Sequence, residues 1–231
     1  MGPTIFFDAI ETVFSLAPLD RKLQDCGLPE LSGPTLFAQI LRDAFAVSAT
    51  GRFVSFPEMA RENIRVLLET YRNRLSEPFE IDSAIDHIVS AFSELPAHGD
   101  VEAAFRAVKD KGFKVCLLTN GPAEGTQKLT QQAGLQSLVD EIISVEDFQQ
   151  WKPAPELYLS AARSMGLSTR DRIDDAVLIA AHAWDINGAA AAGMRGVWVR
   201  RQDASYHQVM AAPLACVDSL EEAVQSALAS F

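Results

Sequence analysis

The chain has 231 residues, of which 48% are hydrophobic and 22% charged, with a net charge of −11 and a pI of about 4.8. No excess of Lys and Arg is available to neutralise phosphates, which argues against nucleic acid as a partner. The three cysteines, Cys26, Cys116 and Cys216, are odd in number, far apart and form no CxxC pair, so neither a disulfide framework nor a zinc cluster is expected and a reducing cytoplasm fits best.

The first element is the apolar run Thr4 to Phe7, which drives straight into Asp8. No cationic stretch precedes it, Asp8 interrupts it, and no long apolar span follows anywhere. Neither a secretory signal nor a membrane span is expected, and a cytoplasmic location follows. From about Leu16 to Ala97 the pattern is helical. Leu36, Phe37, Ile40, Leu41, Ala44 and Phe45 recur at helical spacing, and "FPEMARENIRVLLETYRNR" and "SAIDHIVSAFSEL" repeat the amphipathic theme. Proline or glycine marks both exits of this block, near Phe14–Pro18 and Leu95–Gly99.

Beyond the block, strands and helices alternate. "GDVEAAFRAVKDKG" has an aspartate near its start and Gly112 behind it, the start and stop signals of a helix. Continuous apolar runs at Lys114 to Leu118, Ala176 to Ala180 and Gly196 to Val199, with a weaker one at Glu141 to Val145, suit strands buried on both faces. "PAPELYLSAARSMG" supplies another helix. Alternation of this kind predicts a parallel sheet, with the helical insertion as a lid over the strand ends where such sheets bind ligands. Cys116, inside an apolar run, is expected to be a buried filler.

Four segments place chemistry at strand ends. Asp8 closes the first strand, either as a turn residue or as a functional carboxylate. "LLTNG" ends a strand on Thr119 and Asn120, suited to capping a helix or to holding an anion. "WKPAPELY" fixes Lys152 before two prolines, as befits an immobile counter-charge. "AAHAWDINGAAAAG" carries His182 and Asp185 into a small-residue helix that should pack closely against a neighbour; Asp185 could also be only its cap.

In this order the segments resemble the haloacid dehalogenase superfamily, and most closely its type II, L-2-haloacid dehalogenase branch. The resemblance covers nearly the whole chain. It implies an α/β fold with a Rossmann-like core over residues 1–15 and 98–231 and a helical cap over 16–97. By resemblance, Asp8 is the nucleophile that forms an ester, Thr12 orients it, and Lys152 stabilises its charge. Thr119 contacts the substrate's anionic group, Asn120 helps receive the halide, and Tyr158 lines the site. Asp185 places the hydrolytic water. Arg42 lies near the place of the halide-binding cap arginine, although another register puts Ala38 there. The implied substrate is a small anionic molecule, and members often pair as homodimers.

Three positions depart from the pattern. Glu11 stands where the branch has glycine, and Ala180 and His182 stand where it has serine and asparagine. His182 could replace the amide as a hydrogen-bonding group or base, or could be structural. The superfamily's phosphatases need a proton-donating aspartate two residues beyond the nucleophile, which here is Ile10, and an acidic metal ligand before the last aspartate. Their loss favours a halide leaving group with no metal and no cofactor. A Mg²⁺-dependent phosphatase and a catalytically inactive binding protein are the alternatives.

Overall fold

A computed structural model of the chain describes residues 3–75, 80–167, 173 and 175–231. These fall into two compact units, Met1–Phe14 with Ala97–Phe231, and Ser15–Pro96. The first strand, β1 (Thr4–Asp8), belongs to the former. The latter is helical, formed by α1 (Ala17–Asp25), α2 (Ser32–Ala49), α3 (Phe56–Thr70) and α4 (Ile81–Val89). Ser55 caps α3 by accepting from the Glu58 N–H, and Pro57 follows in its first turn. Leu36, Phe37, Ile40, Leu41 and Ala44 of α2 are buried, as their spacing predicts. The Phe56 ring packs on Phe37 and Phe92 at 6.5 and 5.1 Å between centroids.

The remaining elements are α5 (Val101–Asp110), β2 (Lys114–Thr119), α6 (Ala123–Gln132), β3 (Glu141–Ser144), α7 (Pro155–Ser164), β4 (Ala176–Ala180), α8 (Ala183–Ala191), β5 (Arg195–Val199), β6 (Ala215–Val217) and α9 (Leu220–Leu228). The six strands form one parallel sheet in the order β3-β2-β1-β4-β5-β6. The sequence pattern missed β6, a three-residue edge strand that is only partly buried and whose short apolar run is closed in between Pro213 and Asp218. Nor did it mark α1 and α9. No helix among the described residues is long and apolar enough to cross a membrane.

Alternation along β1 divides the core between two faces. Phe7 meets Phe105 of α5 at 4.8 Å, whereas Phe6 joins a cluster with Tyr158 and Ala161 of α7 and Ile186 and Ala189 of α8. Both faces are covered, which is why the strand reads as an unbroken apolar run. Cys116 is fully buried in the same cluster. The chain fills one side of β1 with β2 and β3, then crosses to fill the other with β4, β5 and β6. The strand order thus reverses between β1 and β4, and open parallel sheets bind ligands beyond the strand ends at such a point.

Helix α8 is held unusually close to the segment before α7. A Cβ on Gly188 would lie 2.6 Å from Pro153 Cβ, 2.7 Å from the Pro153 carbonyl oxygen and 2.7 Å from the Tyr158 hydroxyl. The run of small residues exists to permit this approach. Gly188→Ala should force the Pro153 backbone outward and cost about 1–3 kcal/mol, as overpacking typically does. Urea denaturation checks this; an unchanged midpoint would mean that the contact is soft.

Candidate active site

Asp8 ends β1, and the next six residues fold back on themselves. The N–H groups of Val13 and Phe14 both donate to the Ala9 carbonyl at 2.9 Å, and Glu11 N–H donates to Phe14 O at 2.7 Å. This hook returns Thr12 to the end of the strand. Its hydroxyl donates to Asp8 Oδ2 at 2.7 Å and accepts from the Ala181 N–H at 2.9 Å, which ties the ends of β1 and β4 together. Two further groups brace the hook from sites that the sequence reading did not single out. Trp198 Nε1 donates to Ala181 O at 2.7 Å. Arg201, paired with Asp100 at 2.8 Å, donates to Thr12 O at 3.3 Å. Trp198 lies near the end of β5 and Arg201 two residues past it, so the clue lay in polar groups at and just past a strand end.

Lys152 is fully buried, and its ammonium lies 2.9 Å from Asp8 Oδ1 and 2.8 Å from Asp185 Oδ2. The other Asp185 oxygen accepts from the Tyr158 hydroxyl at 2.5 Å. Asp185 occupies the third position of α8 and spends its carboxylate on Lys152 and Tyr158, so it is not a helix cap. Asn120 Oδ1 accepts from the Lys152 N–H at 3.3 Å and fixes the backbone that aims the ammonium. Thr119, at the end of β2, accepts from the Gly121 N–H at 3.0 Å, while Ser144 donates to the Gly121 carbonyl at 2.8 Å. Helix α6 begins behind Pro122 with no side-chain cap, so Thr119 and Asn120 are not its N-cap either. Arg42 belongs to the helical unit, where it is exposed and forks onto neighbouring Asp43 at 2.7 and 3.0 Å.

Two of the departures seen in the sequence meet. His182 Nε2 lies 2.7 Å from Glu11 Oε2, and His182 Nδ1 lies 3.4 Å from Asp8 Oδ2. Glu11 has φ of 69°, the left-handed region that favours glycine. Ala180, the third departure, is fully buried at the end of β4.

The surroundings drive the two aspartates apart. Burial raises the Asp8 carboxyl, but the Lys152 charge and the His182 contact overcome it and hold it well below the usual carboxylate range. Burial also raises Asp185; Lys152 opposes this, the negative charge of Asp8 adds to it, and the net displacement is upward. One carboxylate is therefore kept ionised and the other is readier to take a proton, the pattern by which acid–base roles are divided. Burial would pull Lys152 down, yet Asp185 and Asp8 together raise it. Burial and the neighbouring Asp185 push the Tyr158 phenol well up, so it remains a donor. Burial alone would lower His182, but its contacts with Asp8 and Glu11 push it up to about 10. Among the described residues no group of three or more His, Cys, Asp or Glu is arranged to hold a metal ion, and an ammonium bridges the two aspartates. This donor set does not supply the several oxygen ligands that Mg²⁺ requires.

Lys152 and His182 face Asp8, Asp185 and Glu11. Removing Lys152 would leave three carboxylates with one cation. Lys152→Ala should therefore cost about 3–5 kcal/mol, the penalty for uncompensating a buried charge. Asp8→Asn leaves two cations with two carboxylates and should be tolerated. Thermal unfolding of the two variants side by side checks the contrast, and equal melting temperatures would contradict it.

The model of one family, haloacid dehalogenase-like hydrolase, matches residues 5–193. The (S)-2-haloacid dehalogenase H-109 of Pseudomonas putida is 27% identical over 175 residues, 76% of this chain and 74% of that protein. An (S)-2-haloacid dehalogenase of Pseudomonas sp. strain YL is 29% identical over 138 residues, 60% and 58% of the two chains. The solved structure of the L-2-haloacid dehalogenase from Xanthobacter autotrophicus, with chloropropionic acid covalently bound, shares the fold. Its TM-score is 0.81 at 20% identity, over 97% of this chain and 98% of that one. The family match runs from inside β1 to just past α8 and so takes in every strand end that carries the cluster; the chain belongs to the haloacid dehalogenase-like hydrolases.

Proposed function

We propose that the protein hydrolyses the carbon–halogen bond of small 2-halo carboxylic acids through an ester on Asp8. The observation that carries this reading is an ionised, buried carboxylate at a strand end, held by Lys152 and Thr12, with Ile10 where a phosphatase would keep its proton donor. The names of the curated relatives add to it.

In the first step an Asp8 oxygen attacks the carbon bearing the halogen. A C–O bond forms as the carbon–halogen bond breaks, and the halide leaves with the electron pair. Halide needs no general acid, so the absence of a donor at Ile10 costs nothing. Thr119 and Asn120, at the end of β2 with the N–H groups beyond them, receive the anionic ends of the substrate. In the second step water attacks the Asp8 carboxyl carbon and gives a proton to Asp185, whose raised pKa suits a base. Tyr158 fixes that base, and Lys152 restrains both aspartates. Splitting the displacement in two makes each step easier than direct attack by water.

Asp8→Asn should abolish halide release from 2-chloropropionate while the fold persists. In a single turnover in ¹⁸O-water, label should enter the Asp8 peptide, as read by mass spectrometry. Label found only in the hydroxy acid would mean that water attacks the substrate directly, and the ester mechanism would be lost.

Halide release should also survive exhaustive EDTA treatment, because Asp8 and Asp185 are neutralised by Lys152 and not by a cation from solution. Loss of activity with EDTA and its return with Mg²⁺ would favour phosphatase-like chemistry.

A further inference from the structure

Glu11 holds a conformation that a side chain rarely adopts, and its carboxylate is not spent on solvent. The residue is 6% exposed. Its N–H donates to Phe14 O, its carbonyl faces His98 Nε2 at 3.2 Å, and its carboxylate meets His182 at 2.7 Å. A strained backbone is kept where the surroundings over-determine it, and such outliers collect at functional sites. The His182 ring therefore has a carboxylate at each nitrogen, Glu11 at Nε2 and Asp8 at Nδ1, and one face stacked on Trp184 at 5.1 Å and 26°. A neutral imidazole has one donor and one acceptor, so it would turn a lone pair toward one of the two carboxylates. Only the doubly protonated ring turns an N–H toward both, hydrogen-bonded to Glu11 at 2.7 Å and in ion-pair range of Asp8 at 3.4 Å.

We propose that Glu11 is a positioning residue that keeps His182 an imidazolium with Nδ1–H aimed at Asp8, so that His182 acts in ester hydrolysis as a fixed cation for the oxyanion and not as the base. The inference rests on Asp8 being the nucleophile. It assigns Oδ1, which faces Lys152, as the ester-forming oxygen, and Oδ2, which faces Thr12 and His182, as the carbonyl.

Alkylation removes the charge of Asp8, so His182 loses one of its two anionic neighbours at that moment. Glu11 remains and keeps the ring charged. Water then bonds to the Asp8 carboxyl carbon, one of its protons passes to Asp185, and the carbonyl electron pair moves onto Oδ2. The Thr12 hydroxyl already donates to that oxygen, and His182 Nδ1 stands 3.4 Å from it, so a donor and a charge are in place before the oxyanion develops. On collapse the bond from carbon to Oδ1 breaks, the hydroxy acid leaves with the proton held by Asp185, and the Asp8 carboxyl releases its own proton to solvent. The elevated pKa of His182, about 10 despite burial, agrees with a ring charged at working pH. The other charged or titratable groups in the surroundings are Lys152 on the far oxygen of Asp8, Asp185 beyond it, His98 on the Glu11 carbonyl, and Arg201 on Thr12 O.

The test uses Glu11→Gln, which keeps the size and the hydrogen bond but removes the charge. Glu11→Gly, which accepts the φ of this position without strain, guards against loss of fold. Rates of Asp8-ester breakdown would be measured in single turnovers from pH 6 to 9.5 by quenching and mass spectrometry. The ratio of variant to wild-type rate should fall about 10-fold or more as pH rises through the lowered pKa of His182, because the variant ring turns neutral. A ratio that rises with pH would make His182 the base, and a flat ratio would make Glu11 merely structural; either overturns the proposal. NMR of the His182 ring gives a readout that needs no turnover. The ring should stay charged to pH 9 in the wild type and titrate lower in both variants. A ring neutral at pH 7 in the wild type, or still charged at pH 9 in the variants, also overturns it. Failure of the wild type to release halide would instead count against the substrate reading, and the NMR result would stand apart from it.

Discussion

The buried ammonium of Lys152 is the constraint around which the site is arranged. A charge with no exposed surface is costly unless it is paired and hydrogen-bonded on every side. Here Asp8 and Asp185 take it from two sides, and Asn120 fixes its backbone. The two aspartates come from β1 and α8, elements more than half the chain apart, so this one cation registers the ends of β1 and β4 against each other. The same cation divides their labour. Asp8 has a second cationic neighbour and stays ionised; Asp185 has a phenol instead and drifts upward.

Such an arrangement is not the most stable use of these positions. Replacing a buried ionic cluster with well-packed apolar residues is often neutral or favourable, and natural sites keep polar groups because the chemistry needs them. Glu11 adds to that cost with a left-handed backbone. The apolar cluster beneath, from Phe6 to Trp198, is what supports it.

Much of this was legible in the chain. A carboxylate that ends an apolar run stands out because burial and charge conflict, and this marked Asp8, while the prolines around Lys152 and the small residues after Asp185 marked those two. The parallel sheet followed from continuous apolar runs alternating with helical patterns. The pairing of Glu11 with His182 was not legible. The residues are 171 positions apart, and their contact depends on the hook after β1 and on the register of β1 against β4. Each looked like an isolated departure, and the charge of the histidine could not be inferred without its partner. Arg201 was overlooked for a related reason. A second arginine after a strand looks like surface charge until Asp100 and the Thr12 carbonyl are seen beside it.

The placement of the thiols has a consequence for an enzyme of the proposed chemistry. 2-Haloacids are alkylating agents, and a thiolate is a better nucleophile toward them than a carboxylate. Cys116 lies on β2 only three residues before Thr119, the proposed substrate contact. It is fully buried, and burial pushes its pKa well up, so it is neither reachable nor ionised. Cys26 and Cys216 are more accessible, but burial raises both, helped at Cys26 by neighbouring Asp25. Only the thiolate reacts at a useful rate. In the proposed chemistry Asp8 is the group offered to the electrophile, and the raised thiol pKa values lower the thiolate fraction that would compete with it.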